Sequence, residues 1–363
     1  MRLIPVDQCQ PGMRLGRNLY NDEGLVLLAE QAELTGPIIR KLEQHGIARL
    51  YIRDARTDDI TLPELITEET RQRALAEIRT HFRRLMLETA PRRAINSPFI
   101  GKAFKDVAAL LLEDLRRHDS AMILLAEMSL TDQSLFQHSL NVGLHTLLLG
   151  LAQGYDQEEL LTIGLGALLH DIGKTQLPPS LLYKPDPIAE EERLLRSHTD
   201  LGFRLLKDEP NIPLLAAHCA LQHHERRDGT GYPRGLRGDD IHVYAEWIGI
   251  VDAYEAMTSV TGTGTRPLLP HQAIEQLFVD SGSLYDASKI ELFRDRIALY
   301  PIGLQVKLSS GEAGVVVDLN SRSSLRPVVR ILYGAEGEEL TRPYEIDLSK
   351  RLNLMITAVH PFD

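Results

Sequence analysis

Seven of the thirteen histidines crowd between positions 138 and 224. His170 precedes Asp171 in Leu168-Leu169-His170-Asp171-Ile172-Gly173-Lys174. His223 and His224 stand together ahead of Glu225-Arg226-Arg227-Asp228-Gly229-Thr230-Gly231-Tyr232-Pro233. His138 lies in Gln137-His138-Ser139-Leu140, and His198 closes Leu194-Leu195-Arg196-Ser197-His198. Imidazole suits first-row transition metals, and one carboxylate has two oxygens with which to bridge a pair of them. A His-Asp pair alone is equally well a capping aspartate beside a surface histidine. Asp252 shifts the balance, because it sits in the apolar run Ile248-Gly249-Ile250-Val251-Asp252-Ala253-Tyr254. An ionised carboxylate is costly there unless it is paired or metal-bound. Histidines 138, 170, 198, 223 and 224 with Asp171 and Asp252 make a mixed nitrogen and oxygen set. Such a set suits two metal ions and not one structural zinc.

These ligands need helices to carry them. Residues 130–300 read as a mostly helical catalytic domain. His138 falls on a helix starting near Ser134, and His170-Asp171 closes an apolar helix that Gly173 is expected to terminate. Residues 64–129 read as a helical connector. Leu75, Ile78, Phe82, Leu85 and Met86 share a face, Pro91 ends that segment, and Asn96-Ser97-Pro98 opens the next. Phe104, Val107, Leu111 and Leu115 then form a stripe suited to core or dimer packing, so a homodimer through these helices is one expectation. Residues 1–55 read as a small α+β regulatory module, with strands at Leu25–Leu28 and Leu50–Ile52 and a short helix after Gly36-Pro37 that ends near Gly46. Asp54 to Pro63 reads as a linker. Strand-like runs at Gln305–Leu308, Gly314–Asp318 and Val328–Leu332 make residues 301–363 a small β module. The expected class is mainly α, an all-helical core with small β-containing modules at its N- and C-terminal sides.

The 363 residues allow two or three domains at about 150 residues each. A net charge of −11 argues against a binder of nucleic acid polymers, which needs a basic face. Two cysteines, Cys9 and Cys219, exclude a disulfide framework and fit a reducing cytoplasm. Met1 to Gln10 lacks a basic flank followed by an apolar core, so no signal peptide is expected. The apolar runs fall short of the roughly 18 residues of a membrane span.

The order His138, His170-Asp171, His198, His223-His224 and Asp252, with the run from His223 to Pro233, resembles the HD-GYP phosphodiesterases, a branch of the HD metallohydrolases. The resemblance covers roughly residues 130–300. It implies an all-helical HD-type core that hydrolyses cyclic di-GMP to pGpG, with GMP as a further product, using iron or manganese. Carried over by position, His138, His170, Asp171 and Asp252 would hold one ion. Asp171 would bridge to a second ion on His198, His223 and His224. Some relatives hold a third ion through a Glu where this chain has Ser134, so two divalent ions are expected. Lys174 would meet the scissile phosphate, Gly229 and Gly231 would turn the loop, and Tyr232 would lie against a guanine base. Arg226, Asp228 and Pro233 complete the substrate-binding signature.

The family's later basic element is weakened. Thr261 stands at its Arg position, Arg266 is the candidate replacement, Glu255 stands for an Asp, and Glu246 stands for a common Arg. Two rival expectations follow: a receptor that holds cyclic di-GMP without turnover, and a phosphodiesterase for a different cyclic dinucleotide. His145 and His218 match no ligand position and are expected to be packed, hydrogen-bonded residues. Cys219 is expected to be a small core residue.

Overall fold

Turn residues and short apolar runs at the start of the chain build a small mixed unit, seen in a computed structural model. The structure describes residues 1–20, 26–45, 47–62, 64–87, 100–117, 135–182, 184, 186–259, 267–320 and 323–359. Strands β1 (Arg2–Pro5), β2 (Leu19–Tyr20) and β3 (Val26–Leu28) precede helix α1 (Gly36–Gln44) and strand β4 (Arg49–Ile52). Strand β4 returns antiparallel to β1, pairing Leu3 with Tyr51. Pro37 in the first turn suits α1, because proline has no N–H that the turn would leave unpaired. Leu15, Leu34, Leu42 and Leu50 close a core of their own under this unit.

A helical body follows: α2 (Glu68–Leu87), α3 (Ile100–Leu115), α4 (Leu135–Gln153) and α5 (Gln157–Leu169). After a 3-10 turn at Ile172–Gln176 come α6 (Pro179–Leu182), α7 (Ala189–Arg196), α8 (His198–Leu206) and α9 (Leu214–Gln222). Helices α10 (Val243–Thr258), α11 (Pro270–Val279) and α12 (Ala287–Arg296) complete it. Helices α4, α5 and α10 are apolar nearly all round and lie inside the body, as that composition requires. Asp156 starts α5 by accepting from the Glu158 and Glu159 N–H groups, and the Glu159 carboxylate returns to the Asp156 N–H at 2.8 Å.

Of the two expectations for α2 and α3, core packing or a dimer seam, the structure shows core packing. Phe82 and Phe104 stack at 5.9 Å, and both belong to the core that contains Leu147, Ile163 and Ile248. The stripe of Phe104, Val107, Leu111 and Leu115 is therefore consumed within the chain, which removes the ground for a dimer through that face. Apolar periodicity shows that a face will be covered, not by what. Pro91 and the segment Asn96-Ser97-Pro98 lie outside the described residues.

Five strands end the fold: β5 (Gln305–Leu308), β6 (Ala313–Asp318), β7 (Val328–Tyr333), β8 (Glu339–Asp347) and β9 (Ile356–Val359). They form one antiparallel sheet in the order β8-β7-β6-β5-β9. The N-terminal unit docks on this sheet. The Leu3 N–H donates to the Gly303 carbonyl at 2.7 Å, and Leu3, Tyr51 and Ile60 share a core with Val306, Val315 and Ile331. Arg330 bonds Asp59 through two nitrogens at 2.6 and 2.7 Å. The stretch expected as a linker is thus pinned to the sheet.

Candidate metal centre

Ends of helices supply most of the ligand positions. His138 comes from the first turn of α4, while His170 and Asp171 follow the last residue of α5. His198 opens α8, and His223 and His224 follow the end of α9. Asp252 alone projects from a helix interior, in α10. The sequence suggests that Gly173 ends α5, but the helix stops at Leu169, and Gly173 lies in the 3-10 turn that follows. A Cβ there would overlap the His198 carbonyl oxygen and crowd the Gly202 N–H. Only a bare Cα lets the turn after Asp171 press against the start of α8.

All seven positions meet in one place, as two sets. His138, His170 and Asp252 form one, and Asp171, His198, His223 and His224 form the other, with the candidate ligand atoms of each set within 4.8 Å of one another. Asp171, fully buried, lies between them. Its Oδ2 is 3.5 Å from His138 Nε2 and 3.4 Å from His170 Nε2. Its Oδ1 is 3.3 Å from His198 Nε2 and 3.7 Å from His223 Nε2. Each oxygen faces a different set.

The chemistry of these donors fits divalent cations. The Nδ1 atoms of His170, His198 and His223 face backbone carbonyls at 2.7, 2.7 and 3.0 Å, which assigns their protons to Nδ1 and leaves lone pairs on Nε2. Those lone pairs then point at one another: His198 Nε2 is 3.3 Å from His223 Nε2, and His138 Nε2 is 3.2 Å from His170 Nε2. Among the described residues, no hydrogen-bond donor reaches the buried Asp171 Oδ1. Converging lone pairs beside an unpartnered buried carboxylate oxygen need positive charge between them.

The electrostatics agree. Burial, aided by neighbouring rings, pushes His198 down to about 4 and His224 to about 3, and holds His223 well below the ordinary imidazole range, so these rings are neutral donors at pH 7. His170 differs: burial opposes its charge, but Asp171 and Asp252 outweigh burial and push its pKa up to about 10, so a cation in the first set would have to displace a proton from its Nε2. Burial also works against the charged forms of Asp171 and Asp252. Lys174 and His170 hold Asp171 well below the usual carboxylate range, and His138 and His170 do so for Asp252.

Around this centre the signature residues divide by task. Lys174 Nζ lies 2.5 Å from Asp171 Oδ2, directly at the boundary between the two sets. Tyr232 stacks on His224, with centroids 4.7 Å apart and planes at 26°. The Tyr232–Pro233 peptide is cis. Gly229 has φ of +83°, and a Cβ on Gly231 would overlap the backbone from His224 to Arg226. Asp228 accepts from the Thr230 N–H and hydroxyl at 2.9 and 2.7 Å, so it shapes the loop. Arg226 faces inward: Nη1 donates to the His223 and Glu225 carbonyls, and its guanidinium lies over Tyr285. Glu246, at the common Arg position, bonds Arg227 and Lys289 at 2.6 Å each. Ser134, Thr261 and Arg266 lie outside the described residues.

Three features escaped the sequence reading. Glu225 is buried and receives the Arg234 and Leu236 N–H groups at 2.8 and 2.9 Å, holding the signature loop closed. Its place directly after the paired histidines was the available signal. The Arg196 guanidinium lies 5.1 Å from the Tyr232 ring centroid, at the rim of the site. No local pattern marks it. His145 and Glu255 meet inside the body, and the sequence offers no sign of that pairing. Cys219, fully buried, has its thiol pushed up to about 12 by burial, which suits a core residue and not a thiolate.

A family model described as HD domain matches residues 124–288, and one described as a KOW domain associated with HD domain matches residues 305–361. The cyclic di-GMP phosphodiesterase PA4108 of Pseudomonas aeruginosa is 31% identical over 265 residues, 71% of this chain and 61% of that protein. Residues 124–288 belong to the HD family, in its HD-GYP branch. The HD dyad itself is His170-Asp171, and the GYP run is Gly231-Tyr232-Pro233. A cyclic di-GMP phosphodiesterase of Thermotoga maritima is 34% identical over 169 residues, 45% of this chain and 44% of that protein. Among solved structures, Bd1817, a HDG"Y"P protein from Bdellovibrio bacteriovorus, matches with a TM-score of 0.48 at 19% identity, covering 81% of this chain and 98% of that one. The chain spans less than two thirds of the length of the two curated relatives.

Proposed function

We propose that the protein is a metal-dependent phosphodiesterase that opens cyclic di-GMP to pGpG, with GMP as a further product. The observation that carries this reading is the position of Asp171, whose two oxygens face two separate ligand sets. His138, His170 and Asp252 would hold one divalent ion, and His198, His223 and His224 the other, with Asp171 shared. Iron or manganese suits this nitrogen and oxygen donor set. When bound, such ions supply Lewis-acid charge that offsets the charge growing on a phosphodiester.

The chain's own groups bind and orient. Lys174 sits where it can leave Asp171 for the scissile phosphate. Tyr232, packed on His224, offers an aromatic edge of the site to a guanine base. The loop from Asp228 to Pro233 is held by Glu225 and by its own Asp228–Thr230 bonds, so Tyr232 is pre-positioned. The structure contains no helix, among the described residues, long and apolar enough to cross a membrane.

The test is reconstitution of the reduced protein with iron or manganese, with cyclic di-GMP followed by chromatography. Production of pGpG by the wild type and its loss in Asp171→Ala, by at least about a hundredfold, is expected, because the variant breaks both sets. No product from protein carrying two ions would sink the enzyme reading, and calorimetry would then identify a receptor. Much faster turnover of another cyclic dinucleotide would reassign the substrate.

A further inference from the structure

The two ligand sets are mounted on different elements. The first rests on α4, the end of α5 and α10; the second rests on the Asp171 turn, α8 and the segment after α9. A shift of α4 against α10 would therefore move His138 against Asp252, while none of His198, His223 and His224 lies on α4.

A buried polar unit spans that gap. Glu255 lies one turn after Asp252 on α10, and Asn141 and His145 lie one and two turns after His138 on α4. Glu255, His145 and Asn141 are 1%, 2% and 4% exposed. Glu255 Oε1 is 2.7 Å from His145 Nδ1, and Oε2 receives the Asn141 amide at 3.1 Å. The amide oxygen of Asn141 in turn accepts from Gln137 Nε2 at 2.8 Å. A carboxylate this deep is tolerated only with such partners, and the partners are tolerated only with the carboxylate. Apolar residues of equal volume would pack the two helices without that cost. The geometry therefore defines one spacing and one rotation of α4 against α10 next to the first ligand set.

We infer that Glu255, through His145 and Asn141, is a positioning residue that sets the separation of His138 and Asp252 and so tunes the first metal subsite selectively. This rests on the dinuclear reading above. Outer partners of metal ligands typically change affinity by about 10- to 100-fold, and Glu255 acts at one remove.

The experiment is calorimetric titration of chelator-stripped, full-length protein with manganese. The wild type is expected to bind two ions, with Asp252→Asn and His224→Ala marking which binding event belongs to which set. Glu255→Gln keeps the shape and removes the charge. It is expected to weaken by about tenfold or more the same event that Asp252→Asn abolishes, and to leave the event lost in His224→Ala unchanged. Equal weakening of both events, or wild-type affinity at both, overturns the inference while the metal centre stands. No manganese binding by the wild type overturns the metal centre and the inference together. Circular dichroism checks the fold. If Glu255→Gln does not fold, His145→Gln is read by the same criterion, with selective weakening supporting the inference and uniform or absent weakening overturning it.

Discussion

Individual side chains here act through what surrounds them more than through what they are. Arg226 belongs to the signature run, yet its Nη1 is spent on the His223 and Glu225 carbonyls. Asp228 likewise is occupied by Thr230. Glu209 shows the opposite condition: it is buried, and neither carboxyl oxygen has a hydrogen-bond partner among the described residues. Burial pushes its pKa up to about 7. The folded chain then binds this proton more tightly than the unfolded chain. Stability is unaffected below the ordinary carboxyl range, falls as pH rises through about 7, and stays lowered above it. Glu209→Gln should therefore raise the unfolding free energy by about 1–3 kcal/mol at pH 8 and leave it nearly unchanged at pH 4.5. Urea denaturation at the two pH values checks this, and an equal effect at both would contradict it.

Whole elements carry the next level of control. The turn after Asp171 meets α8 at Gly173 with no room for a side chain. Gly173→Ala is expected to cost about 1–3 kcal/mol by overpacking and to displace His198 from Asp171. Denaturation would give the first number, and weaker binding at the second metal subsite would show the displacement. Helix α7 buries none of its residues, and its last one, Arg196, leans over Tyr232 while pairing with Glu192. That places a guanidinium at the rim of the site, where it would meet the doubly charged substrate proposed above. Arg196→Gln should raise KM for cyclic di-GMP by roughly tenfold or more with little change in kcat. Steady-state kinetics decides, and a fall in kcat at constant KM would assign Arg196 elsewhere.

Across the whole molecule, the N-terminal unit and the C-terminal sheet form one joint. Leu3 is 1% exposed and packs into the sheet's core, while its N–H bonds Gly303. Leu3→Ala should cost about 2–5 kcal/mol and loosen both units together. A single shifted transition in chemical denaturation would confirm the joint, whereas loss of the N-terminal unit alone would refute it. Much of this protein was legible along the chain. The helical body, strands β5, β6 and β7 and the seven candidate ligand positions follow from periodicity, turn residues and the chemistry of His and Asp, because those signals are local; strands β8 and β9 did not stand out. What packs against what is not local. The stripe on α3 was visible as apolar, but only the tertiary structure shows that the body itself covers it. The same holds for Gly173 under His198, for Arg226 turned inward, and for Glu255 reaching His145. Sequence alone named the side chains whose chemistry suits a metal or a phosphate ligand. Tertiary packing decided which of them face the site, since contacts between residues as far apart as His145 and Glu255 depend on how helices settle against one another, and spacing along the chain does not encode that directly.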